Sequence, residues 1–210
     1  MTEENPAPDM LATAAKTGDI KAVEYLLKQG TPLAEPDANG DTALVLAAYN
    51  GHTEIVRLFL DKGADIEQRD HYTYTALMWA ALNGHTETVR LLLDRNATLD
   101  SQSADGNTPL MLTVTGDRRE VAELLVNKGA DPDLKNKDGY TAMTLCDLFS
   151  RTEIALLLKD LPEIRQRIAA EKARAEAIEE QKSGHSAAIL KRQSLKELAQ
   201  RNKLKIRKLS

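Results

Sequence analysis

An all-α solenoid, a row of stacked helical units ending in a helical extension, is the fold class the sequence predicts, and three observations predict it. A threonine recurs at Thr42, Thr75, Thr108 and Thr141, 33 residues apart each time, in "DTALVLAAYNG", "YTALMWAALNG", "NTPLMLTVTGD" and "YTAMTLCDLFS". A fixed period of this length marks a repeat architecture, in which each unit buries its apolar face only against its neighbours. Within a period, apolar residues fall at the three and four spacing of an amphipathic helix. Aromatics make up 4% of the 210 residues, so the core must be filled by Leu, Ile, Val and Ala, which suits many small helix contacts.

The units follow in order. Thirty-three residues before Thr42 lies Asp9 in "DMLATAAKTGD", where Leu11, Ala14, Ala15 and Gly18 match Leu44, Ala47, Ala48 and Gly51. The first unit is therefore 9–34, preceded by residues 1–8, which are expected to be disordered. In the second, 35–67, Leu44, Ala47 and Ala48 form one helix face, and Ile55, Val56, Leu58, Phe59 and Leu60 a second. Gly51 breaks the first helix, and Gly63 ends the second, where glycine adopts left-handed backbone freely. The third unit, 68–100, replaces the turn glycine by Thr73, making that loop stiffer or differently shaped, and a Gly-Ala pair by Asn96 and Ala97. In the fourth, 101–133, Pro109 follows Thr108 at a first-turn position, where a missing N–H matters little. The fifth, 134–159, has Asp147, Ser150 and Arg151 in place of its small and turn residues, and reads as a polar terminal cap. Each recurrent threonine precedes a helix and is placed to cap its free N–H groups.

The near-complete pattern D-x-x-G-x-T-x-L-x-x-A-A-x-x-G-H-x-E-x-V-x-L-L-L-x-x-x-A in the second and third units resembles the ankyrin repeat family, over roughly three quarters of the chain. The resemblance implies a helix, a tight turn, an antiparallel second helix and a protruding hairpin loop per unit. It departs from the family where T-P-L is followed by histidine: Val45, Met78, Met111 and Thr144 stand there, so the imidazole hydrogen bonds must be absent or replaced.

Chemistry is sought first in the doubled His-x-Glu of "GHTEIVRLFLDKGAD" and "GHTETVRLLLDRNAT", that is His52, Glu54, His85 and Glu87. These read as architecture: each histidine ends a turn, where its ring can bond a neighbour's backbone, and each glutamate sits in a helix's first turn, favoured by the dipole. A zinc deaminase uses His-x-Glu together with a Pro-Cys-x-x-Cys pair, and Cys146 is the single cysteine. No phosphate cradle, H-E-x-x-H or G-x-S-x-G motif is present, so no enzyme class, metal or cofactor is expected. Carboxylate pairs such as Asp61 with Asp65 read as solvated surface, and Cys146 as a packed small hydrophobe. One cysteine allows no internal disulfide, and no run of about 18 apolar residues occurs; together with the acidic, proline-bearing start "MTEENPAPDM", these predict a cytoplasmic protein.

Function is then expected on the surface of the stack. The resemblance implies that partners bind in the concave groove, through loop residues before each threonine and exposed positions of each first helix. On this chain these include Tyr49, Asn50, His71, Tyr72, Tyr74, Trp79, Leu82, Asn83, Asn107, Leu112 and Tyr140. Tyr49, Tyr72, Tyr74 and Trp79 include three of the five Tyr and the single Trp. Two readings stand: a hot spot for a protein partner, or rings that merely pack between helices and over loop backbone.

The last 20 residues differ in charge from the repeats. Residues 1–159 carry 15 basic and 25 acidic side chains, whereas 191–210 carry 8 and 1. "DLPEIRQRIAAEKARAEAIEEQK" predicts one helix over 160–182, with its first turns docked on the last unit. The basic amphipathic tail, 183–210, includes Lys191, Arg192, Lys203, Lys205, Arg207 and Lys208. It reads as a mobile solubilising segment, as a segment that binds a partner or the acidic repeats, or as a ligand of nucleic acid, ribosome or anionic membrane.

Overall fold

The computed structural model describes residues 8–162 and, beyond them, Gln166, Ala170 and Arg174. Ten helices form among the described residues, with no strand. They are α1 (Pro8–Thr17), α2 (Ile20–Lys28), α3 (Ala43–Tyr49), α4 (Thr53–Asp61), α5 (Ala76–Asn83), α6 (Thr86–Asp94), α7 (Pro109–Gly116), α8 (Arg119–Asn127), α9 (Ala142–Phe149) and α10 (Thr152–Lys159). Odd-numbered helices pack on one another in series, α1 on α3, α5, α7 and α9; even-numbered helices do the same from α2 to α10. The result is two parallel layers of short helices, each pair one 33-residue unit. It is the all-α stack the spacing predicts.

The threonines do what their position implies. The hydroxyls of Thr42, Thr75, Thr108 and Thr141 accept the backbone N–H groups of Val45, Met78, Met111 and Thr144 at 3.2–3.3 Å. Extended backbone at the threonine turns the chain from loop into helix, so a single residue sets both the start and the entry direction of α3, α5, α7 and α9. The position that carries histidine in the family splits two ways. Val45, Met78 and Met111 are at most 2% exposed and pack in the core. Thr144 instead bonds back, its Oγ1 accepting the Thr141 N–H at 2.7 Å to complete a capping box.

Alanines allow the layers to close. Ala14, Ala15, Ala47, Ala48, Ala80 and Ala81 are buried between odd-numbered helices, and Phe59, the largest fully buried side chain, fills the even layer. Gly51 has φ 73°, and a Cβ there would lie 2.5 Å from the His85 ring. Glycine is therefore needed twice over, for the turn and for the approach of the next unit.

The structure refines three sequence expectations. Thr73 does not reshape its loop: it takes φ 65°, the left-handed backbone that Gly40, Gly106 and Gly139 adopt in the other loops. A β-branched residue there is strained. Its hydroxyl accepts the Ala104 N–H at 2.6 Å, a bond to the next loop that glycine could not make. The fifth unit is polar only in part, because Leu148, Phe149 and Leu156 are 57%, 43% and 51% exposed. Pro8 is already helical, so α1 begins at the last residue of the expected lead-in. The compact repeat unit closes at Leu161, buried to 7% exposure. Pro162, Gln166, Ala170 and Arg174 are helical; the remainder of the expected 160–182 helix, and the basic tail 183–210, lie outside the described residues.

Candidate functional site

The site is built from one hairpin loop outward. Every loop opens with a residue whose short polar side chain folds back onto the backbone: Asp37, Asp70, Ser103 and Asn136. Such side chains mimic a backbone turn. At Asp70, Oδ1 accepts the N–H groups of Tyr72 and Tyr74, both at 2.9 Å, while the backbone N–H of Asp70 donates to the Tyr74 carbonyl at 3.1 Å. The second oxygen is left over, and Trp79 Nε1 donates to it at 2.5 Å. Asp70 is 7% exposed, so this buried carboxylate is satisfied only because the indole reaches it from α5.

Trp79 is the hub of the aromatic cluster. The Tyr49 ring meets it edge-on with centroids 5.0 Å apart and planes at 67°, Tyr72 at 6.1 Å and 74°, and Tyr74 in a tilted stack at 5.0 Å. Edge-to-face pairs of this kind add about 0.5–1.5 kcal/mol to burial. Tyr74 is half-buried, and burial pushes its phenol above the ordinary tyrosine range, helped by the charges of Asp105 and Asp70 and opposed by a hydrogen bond with Asn107. Tyr49 and Tyr72 remain 42% and 59% exposed. The rings thus divide: Tyr74 packs, Trp79 anchors, and Tyr49 and Tyr72 face out.

Between them lies a pocket of about 360 Å³, walled by Lys16, Asp41, Leu46, Tyr49, Asp70, Tyr72 and Trp79, with Val45 at its floor. It gathers residues of three consecutive units. Asp41 Oδ1 accepts from His71 Nδ1 at 2.8 Å, and the His71 ring lies against Tyr72 with centroids 3.7 Å apart, which fixes one wall. Asp41, Asp70 and His71 bring their ligand atoms within 4.8 Å of one another. Both Asp70 oxygens and His71 Nδ1 are already engaged in loop bonds, so the present geometry is that of a brace between neighbouring loops.

The remaining expected face residues fall into three groups. Asn50 and Asn83 turn to backbone, donating to the Leu46 and Tyr49 carbonyls at 2.9 and 3.0 Å. Asn107 Oδ1 accepts from Asn136 Nδ2 at 3.0 Å, tying loops together, while Leu82 is half-buried and Tyr140 is 39% exposed, away from the Trp79 pocket walls. Leu112 is a correction. It is 3% exposed and offers no surface: α7 is flanked by α5 and α9, and Pro109 to Val114 are all buried. Sequence reasoning missed Asp70, Asp41's bond to His71 and the Lys16 wall. Asp70 had a signal, since an Asp, Ser or Asn opens each loop; Lys16 had none.

The histidine question closes in favour of architecture. His52 Nε2 lies 3.1 Å from the Lys16 carbonyl and His85 Nε2 2.8 Å from that of Tyr49, each at the C-terminal end of the preceding unit's odd helix. Arg118 makes the same bond to Leu82, Nε to carbonyl at 3.1 Å. Glu54 and Glu87 pair with Arg57 and Arg90 one turn on, fully on the surface. Asp61 pairs with Arg95 at 2.8 Å, and the Asp65 carboxylate accepts the Glu67 N–H, as solvated loop carboxylates do. Cys146 is 1% exposed, and burial pushes its thiol up to about 11, with Asp147 adding to the rise. It is a core residue, chemically quiet.

Comparison with known proteins finds the repeats over most of the described stack. A family model for ankyrin repeats in three copies matches residues 10–103, and a single ankyrin repeat matches residues 105–137. No curated protein matches the chain. The matched segments end before α9, yet α9 and α10 continue the same paired layout to Lys159. Among the described residues no helix is long and apolar enough to cross a membrane. Ankyrin repeats are generally protein–protein interaction modules, and proteins built from them are typically non-catalytic. Repeat period, helix pairing, threonine caps and family match agree: the chain belongs to the ankyrin repeat family.

Proposed function

We propose that this chain is a non-catalytic adaptor, inhibitor or assembly factor that grips a protein partner on the face formed by its odd-numbered helices and hairpin loops. The observation that carries this reading is the Trp79 cluster: an indole fixed by a buried carboxylate, with Tyr49 and Tyr72 held beside it and left exposed. Large rings pinned before a partner arrives lose little freedom on binding, which is what hot-spot residues require. A single cysteine suits a reducing compartment, and the working place is taken to be the cytoplasm.

The test is affinity capture from the native cell with the intact chain and with a Tyr49→Ala, Tyr72→Ala double variant whose circular dichroism is unchanged. Both side chains are exposed, so the fold is expected to survive their removal. A protein recovered with the intact chain and lost from the variant is the partner; identical lists would sink the reading. A second reading rests on the tail, whose 8 basic against 1 acidic residue over 191–210 would give salt-sensitive affinity for nucleic acid, ribosome or an anionic membrane surface while the repeats recruit a client. Deleting residues 187–210 would abolish such binding and leave the first kind intact.

A further inference from the structure

We infer that the pocket between Tyr49, Tyr72 and Trp79 receives a cationic side chain of the partner, an arginine guanidinium. The inference rests on the interaction reading above and names the chemistry of its contact.

Three rings bound one pocket with Tyr49 and Tyr72 steeply inclined to the indole, at 67° and 74°. Faces and edges of different rings therefore surround a common space, and ring faces carry the negative end of the aromatic quadrupole. Two carboxylates share the wall. Asp70 is committed to its loop and to Trp79; Asp41 uses Oδ1 for His71, and among the described residues its Oδ2 accepts no hydrogen bond. A planar guanidinium can lie on an aromatic face while its edge donates to a carboxylate oxygen, a pairing that an ammonium makes less well. The setting agrees, since residues 1–159 carry ten more acidic than basic side chains, Asp37 shares the loop of Asp41, and Asp105 stands on the loop after that of Asp70. An apolar occupant would leave Asp41 Oδ2 without a donor, and an anion would face both carboxylates.

Lys16 is the opposing charge on this wall. It is exposed on α1, and its long stem can swing its ammonium into solvent. It should weaken binding without blocking it.

Trp79 is the single tryptophan, so its indole N–H gives one unambiguous cross-peak in a proton–nitrogen correlation spectrum, at the pocket itself. The full chain is titrated with N-acetyl-arginine amide and, separately, with N-acetyl-citrulline amide, which has nearly the same shape and no charge. The expected result is a saturable shift of the indole peak with the arginine probe, half-complete at about 1–10 mM for one side chain alone, and a response at least fivefold weaker with citrulline. Tyr49→Leu, Tyr72→Leu and Asp41→Asn should each weaken the arginine response three- to tenfold while the peak stays dispersed, because leucine keeps apolar bulk and loses the ring face. Lys16→Ala should strengthen it two- to fivefold. Equal responses to the two probes, no saturation by 50 mM of arginine probe, or weaker binding in Lys16→Ala would overturn the inference. Should it fall while Tyr49→Ala, Tyr72→Ala still loses a captured protein, the interaction face stands and only the cation is wrong.

Discussion

At the scale of single residues, Asp70 is the side chain on which the most depends. Its two oxygens serve three N–H donors, two in its own loop and one on the next helix, in bonds that are each partly buried. Asp70→Ala strands those donors, and an orphaned buried group costs about 1–3 kcal/mol. Unfolding in urea should therefore show a loss of about 2–4 kcal/mol, and the native Trp79 emission should move to longer wavelength as the indole loosens; a variant with unchanged emission would show that Asp70 does not hold the ring. Cys146 gives a pH test. Its folded thiol ionises near 11 against an ordinary 9, so the folded state holds its proton more tightly than the unfolded one. Stability linked to this group is whole below pH 9 and falls as pH rises from 9 to about 11. At pH 8 the native thiol should react with iodoacetamide about 100-fold more slowly than in urea; comparable rates would mean that the site is open.

At the scale of elements, local chemistry and packing pull against each other at α7. Gly116 sits at its C-terminal end with helical backbone, where alanine favours the helix by up to about 1 kcal/mol. A Cβ at that position would meet the Leu82 carbonyl oxygen at 2.1 Å, and that oxygen is already held by Arg118. Backbone has to shift, so Gly116→Ala should destabilise by about 1–3 kcal/mol. Asn96 is the converse. It ends α6 with φ 65° where Gly63 and Gly129 end the matching helices, and a Cβ at those glycines would meet nothing within 4 Å. Asn96→Gly should be neutral or stabilising by up to about 1 kcal/mol. Thermal melts of the two variants should move in opposite directions, or for Asn96→Gly not at all; a stabilised Gly116→Ala would show that packing there is slack. Helix existence, the threonine caps and the turn glycines were legible in the sequence because each is set within a few residues. Leu112 was not, because its burial depends on α5 and α9 lying on both sides of it.

At the scale of the whole molecule, stability is a sum over units and the interfaces between them. Leu77 lies in α5, packed between α3 and α7, while Leu11 lies in α1, which has a neighbour on one side; both are 1% exposed. Leu77→Ala should cost about 3–5 kcal/mol and lower the whole transition. Leu11→Ala should cost less and free the first unit alone, so that circular dichroism falls before Trp79 fluorescence does. Coincident transitions in Leu11→Ala would mean that the stack melts as one. Ion pairs between units, such as Arg95 with Asp61 and Lys128 with Asp94, are exposed and screened by solvent, so they trim this balance without setting it.

By itself the sequence determined the period, the helix pairs, the caps and the turns, and through them membership in a family of interaction modules. These features are repeated and local, so a one-dimensional pattern records them completely. It also brought Tyr49, Tyr72, Tyr74 and Trp79 under suspicion. Only the tertiary structure decided that Tyr74 packs while Tyr49 and Tyr72 face out, that Asp70 pins the indole, and that Lys16 and Asp41 share the pocket with them. The reason is physical: the pocket joins residues of three units, and which side chains meet across a stack is set by how neighbouring helices and loops lie against each other, which no single repeat encodes.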